Sequence, residues 1–135
     1  IFKLTNLAEN FDVSELADNC LSKNIHKTIK IINENNYSSE DCILILRTLL
    51  LKSKRILKLK TNSENYKNIE DIISKCKPPI FWKDKEIVKK QLTSWSLSDI
   101  KKLIYRINDI ELLIKKNSTN SINLLYDFIL NTAKS

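Results

Sequence analysis

The sequence predicts an all-α protein, a helical bundle of about five to seven helices in one domain spanning residues 1–135. Three observations lead there. Apolar residues recur at three- and four-residue spacing in stretch after stretch, and no strand-like alternation competes with that period. Glycine is absent, which removes the Asn-Gly and Asp-Gly hairpin turns. Both prolines of the chain fall in one place, "KCKPPIFWKDK" (Lys75 to Lys85), so the long periodic stretches on either side run without a breaker.

The elements follow in order. In "FDVSELADNCLSKN", Asp12 with Glu15 three residues on makes a capping-box-like start, and Val13, Leu16, Cys20 and Leu21 share a face. That helix is expected to stop near Asn24. A second, "IHKTIKIINEN", presents Ile25, Ile29 and Ile32 with Thr28 between them, and Asn35 and Asn36 break it as turn or left-handed residues. The strongest helix is "SSEDCILILRTLLLKSKRILKLKT". Ser38 with Asp41, or Ser39 alone, caps it, and Glu40 and Asp41 suit its positive end. Apolar nearly all round from Cys42 to Leu51, it is expected to be central and buried on several sides, with Leu46 and Leu50 in the core.

A polar loop, 62–68, precedes the short helix "IEDIISKC". Pro78 disfavours helix at Lys77, and Pro79 does the same at Pro78. The Pro-Pro pair holds an extended stretch open at low entropy cost. Ile80, Phe81 and Trp82 are expected to pack that stretch onto the bundle, the other reading being an aromatic anchor at a partner surface. Asp84 is positioned to cap "KDKEIVKKQLTSW", in which Ile87, Val88, Leu92 and Trp95 line up. Ser96 with Asp99 starts the long helix whose stripe is Ile100, Leu103, Ile104, Ile107, Ile110, Leu113 and Ile114, and Asn117 stops it. The last helix carries Ile122, Leu125, Phe128 and Ile129 inward.

Composition narrows the function. Without glycine, neither a phosphate-cradling loop nor a dinucleotide fingerprint can form. Cys20, Cys42 and Cys76 are odd in number, far apart and in no CxxC pair. They read as free thiols of a reducing cytoplasm rather than metal ligands, and no metal or cofactor is expected. The lone His26 reads as a surface or packing residue, and the pairs Glu40 with Asp41 and Glu70 with Asp71 as helix-start charges. A small helical enzyme or effector is therefore the weakest of three function classes.

The net charge is +7 and the pI about 9.3, which raises nucleic acid as a partner. The candidate basic patch is Lys52, Lys54, Arg55, Lys58 and Lys60. Yet 20 Lys against 3 Arg, with 20 Ile and 15 Asn, is also the signature of AT-rich codons, and scattered solvated lysines explain it as well. The longest uninterrupted apolar run, "CILIL", is too short to span a membrane. No signal peptide is indicated at the N-terminus, and a first residue that is Ile1 rather than Met suggests a fragment or a processed chain.

The order of "EDCILILRTLLLKSKRILKLK", then "PPIFWKDKEIVKKQLTSWSLSDIKKLIYRINDIELLIKK", then a final helix resembles the C-terminal domain of the delta subunit of bacterial DNA polymerase III. "KPPIFWK" is similar to the alphaproteobacterial branch of that family, and Glu111 to Lys115 ("ELLIK") is similar to an acid and a lysine in the family's long helix. "ELADNCLSKNIHKTIKII" resembles its small helical pair, where a glycine commonly joins the helices and Asn24 stands near the junction here. The resemblance covers about residues 7–131.

It implies a non-catalytic collar domain, the C-terminal part of a longer chain, that holds the subunit in the clamp loader during DNA replication. The implied parent is a cytoplasmic subunit of a nucleotidyltransferase holoenzyme. Its implied partners are the delta prime and gamma/tau subunits, with the sliding clamp and DNA reached only through the rest of the parent and its complex. A collar domain must expose apolar or mixed surface to its neighbours. Tyr105 and Leu112, seven residues apart, and Leu124 lie off the inward stripes and are the candidate subunit interface, flanked by Arg106 and Asp109.

Overall fold

The computed structural model of the protein describes residues 2–62, 68–76 and 79–134, with side chains from residue 12 onward except at 118. Seven α-helices stand among the described residues, and no strand. They are α1 (Phe2–Leu21), α2 (Ile25–Asn35), α3 (Cys42–Thr61), α4 (Ile69–Ser74), α5 (Lys85–Ser94), α6 (Leu97–Lys116) and α7 (Ser121–Lys134). The protein is thus an all-α helical bundle.

The bundle is organised around α3, which packs against α6 and α1 most extensively and also against α5 and α7. Its buried face carries Cys42, Ile45, Leu46, Leu49, Ser53, Ile56 and Leu59. Leu16 and Leu21 from α1, Ile100 and Ile107 from α6, and Leu125 and Ile129 from α7 complete a core of fully buried side chains. Helix α2 closes one side against α1 and α7, and α4 packs on α5.

Chain reversals are built without glycine, as the composition requires. The end of α1 is a Schellman motif: the Asn24 N–H donates to the Asn19 carbonyl at 3.0 Å and the Lys23 N–H to the Cys20 carbonyl at 3.2 Å. The left-handed position of that motif, φ 61°, is held by Lys23. Asn24 instead caps α2, its side chain accepting from the Lys27 N–H. Asn36, φ 49°, ends α2 in the left-handed region as expected. Short polar Asn tolerates that region better than most side chains.

Several expectations are corrected. Asp12 does not start a helix, because α1 already runs from Phe2. In α2 the buried face is Thr28, Ile31 and Ile32, while Ile29 is exposed, so the inward stripe is rotated from the expected one. Leu113 is likewise exposed, because α6 buries Ile100, Leu103, Ile107 and Ile114 on a narrower stripe. Helix α3 is not apolar all round in its contacts: Leu44 and Leu51 face outward and Leu50 is half-buried. The expected breaks at Lys77 and Pro78, and the loop at 63–67, lie outside the described residues.

The caps hold in part. The Ser38 N–H donates to Asp41 Oδ2 at 2.9 Å ahead of α3, within a capping box. Asp84 occupies the N-cap position of α5 but its side chain accepts no capping hydrogen bond. Ser96 caps α6, its Oγ accepting from the Asp99 N–H at 3.1 Å. Replacing Ser96 with Ala is expected to cost about 1 kcal/mol, read as a lowered urea midpoint at unchanged slope.

Candidate functional site

Two surfaces combine exposed apolar side chains with charge. The first lies on α6. Its inward stripe leaves Tyr105 and Leu112 on the side away from the core, where they are 73% and 58% exposed. At about 100° of rotation per residue, positions seven apart nearly coincide in direction, so the two form one outward face. Leu124 does not join that face. It is half-buried in a groove between α6 and α7, facing Arg106, Asp109 and Leu113. The three candidate interface residues therefore divide into an outward pair and a groove residue, with the polar Arg106 and Asp109 between them.

The second surface lies along α3. Leu44, Arg47, Leu51, Lys54 and Lys58 recur at spacings of three and four residues and are all exposed. Beside the C-terminal half of this stripe runs the extended segment at 79–81 with the turn Trp82–Asp84. The two enclose an open cleft of about 590 Å³. Its apolar wall is Leu51, Leu59, Pro79, Ile80 and Phe81. Lys54, Arg55 and Lys58 line it as cations and Asp84 as an anion.

Here the expectation for "IFW" is corrected. Ile80 is buried and holds the segment to the bundle, but Phe81 is 58% and Trp82 68% exposed. Their rings are tilted against each other at 5.9 Å between centroids, an arrangement aromatic pairs favour. Trp95, the other tryptophan, is the buried one. Its Nε1–H donates to the Leu21 carbonyl at 2.7 Å, and the Lys23 ammonium sits 4.1 Å from its ring centroid.

The five candidate basic residues do not form one patch. Lys54 and Lys58 face outward into the cleft. Lys60 lies off that line, half-buried. Lys52 turns inward: its Nζ lies 3.1 Å from both carboxylate oxygens of Asp18 on α1. Arg55 bridges the two environments. Its Nη2 is 3.7 Å from Asp18 Oδ1, while Nε and Nη2 have no hydrogen-bond acceptor. Gln91 of α5 donates to Asp18 Oδ1 at 3.2 Å and to the Asp18 carbonyl at 3.1 Å. A buried polar cluster thus ties α1, α3 and α5 together. Its signal in sequence was absent, since Asp18 lies 34 residues from Lys52 and 73 from Gln91.

Glu111 accepts from Lys115 at 3.4 Å and pairs with Arg47 of α3 at 3.6 Å, so it joins α6 to α3. Cys20 and Cys42 are buried free thiols, and burial pushes the Cys20 thiol up to about 12. Among the described residues no cluster of His, Cys, Asp or Glu is arranged to hold a metal ion. No helix among them is long and apolar enough to cross a membrane. Searches of family models, curated proteins and solved structures return no match to this chain.

Proposed function

We propose that this chain is a non-catalytic oligomerisation domain, the collar module of a DNA polymerase III delta subunit, which holds that subunit among its clamp-loader neighbours. The observation that carries the reading is the outward face of α6, where Tyr105 and Leu112 stand exposed opposite the buried stripe. A neighbouring helical domain would desolvate these two large apolar side chains, which share one face of a long helix. The ordered resemblance of the segments, from the α3 sequence through "KPPIFWK" to the last helix, supplies the family. On this reading delta prime and gamma/tau are the neighbours, and the sliding clamp and DNA are contacted by other parts of the assembly in the cytoplasm. A nucleic-acid-binding helix face is the weaker proposal, because Lys52 and Arg55 are drawn to Asp18.

The test is assembly. In the full-length parent co-expressed with the other clamp-loader subunits, Leu112→Glu is expected to leave the far-UV circular dichroism unchanged. Recovery of the subunit in the purified complex is expected to drop about tenfold or more, equivalent to about 1.4 kcal/mol of interface stability. Normal recovery would remove this face from the assembly, and failure of the unmodified parent to enter a clamp loader would remove the function itself.

A further inference from the structure

We infer that the cleft between α3 and the 79–84 segment is a docking site for an acidic peptide segment carrying a bulky apolar side chain. The inference does not depend on the assembly reading, which concerns the outward face of α6.

Four observations converge on this occupant. The wall is aliphatic, with Leu51, Leu59 and Ile80 facing the cleft, and Phe81 stands exposed at its edge. Leu51 is 70% exposed, so the space opens outward instead of being core. Three cations line it against one carboxylate, Asp84, which selects for negative charge beside the inserted side chain. Finally, the Arg55 charge is only partly neutralised, because its counterion Asp18, 3.7 Å from Nη2, lies closer to Lys52, at 3.1 Å.

A nucleic-acid strand fits these observations less well. It has no aliphatic side chain for the Leu51–Ile80 wall, and Asp84 interrupts what a continuous phosphate backbone would need as an unbroken basic track. A peptide spaces its carboxylates and can place an apolar side chain between them.

The experiment is fluorescence anisotropy on the 135-residue chain with four labelled probes at physiological salt. One is a short peptide of Asp and Glu around a central Phe. The second has Asn and Gln in place of the acids, the third has Ser in place of the Phe, and the fourth is a single-stranded oligothymidylate. Saturable binding is expected for the first, about tenfold or more weaker for the two peptide controls. Leu51→Ser and Lys54→Glu, both at exposed positions and so safe for folding, are each expected to weaken the first probe by about tenfold. Circular dichroism verifies that both variants remain helical. The proposal is overturned if the acidic peptide fails to saturate by about millimolar concentration. It is equally overturned if that peptide binds no better than its controls or binds both variants as well as the parent. Tighter binding of the oligonucleotide, lost in Lys54→Glu, would reassign the cleft to nucleic acid.

Discussion

Asp18→Ala is expected to destabilise the protein by about 3–5 kcal/mol, the range for breaking a buried ion pair from one side. Asp18 is 8% exposed and stands between two cations, with Lys52 at 3.1 Å and Arg55 at 3.7 Å. Removing it leaves both charges without their shared counterion in the space between α1, α3 and α5. It also takes an acceptor from the fully buried Gln91. Desolvated charge without a partner is costly, and this cluster joins three helices, so the loss is global. Lys52→Met is the informative contrast. It keeps the aliphatic stem and leaves Asp18 with Arg55 and Gln91, so the urea midpoint is expected to fall less than in Asp18→Ala. If Asp18→Ala unfolds within about 1 kcal/mol of the parent, water reaches the cluster and the buried-pair account of it is wrong.

Leu46→Ala is expected to cost about 2–5 kcal/mol through lost burial and the cavity left behind. Leu46 is fully buried in the N-terminal half of α3, the helix on which α1, α5, α6 and α7 converge, so collapse around the gap would have to move several elements. Two leucines on the same helix calibrate the result. Leu50 is half-buried and should lose less, and Leu51, 70% exposed, should change by no more than about 0.5 kcal/mol on the same substitution. Equal midpoints for the three Ala variants would mean that α3 is not seated as described.

The helices themselves were legible because their causes are local. The apolar period, the Ser38 and Ser96 caps and the Asn36 and Asn117 stops act over one or two turns, and the caps and stops appear where the sequence places them. Local also means incomplete. Asp12 has the residue pattern of a cap yet sits inside α1, since a capping pattern stabilises a helix start only where the preceding residues are not already helical. Lys23 takes a left-handed position that its type does not announce, because the Schellman hydrogen bonds and the packing of α2 on α1 impose it.

What tertiary structure decided is which side of each helix meets a neighbour and which charges meet each other. A run such as Cys42 to Leu51 has apolar residues on every side, so its period cannot say that Leu46 is core and Leu51 is surface; the positions of α1 and α6 choose. The candidate sites depended on that choice. Lys52 and Arg55 read as members of a basic patch until a carboxylate from α1 arrived between them, and Phe81 and Trp82 read as packing residues until the structure left both exposed beside a buried Ile80. Sequence by itself determined the all-helical character, the absence of glycine-dependent loops and the common direction shared by Tyr105 and Leu112, because these follow from residue type and helical spacing. The Asp18 cluster and the cleft beside Leu51 arise from side chains tens of residues apart, and only the docking of one helix on another brings those within reach.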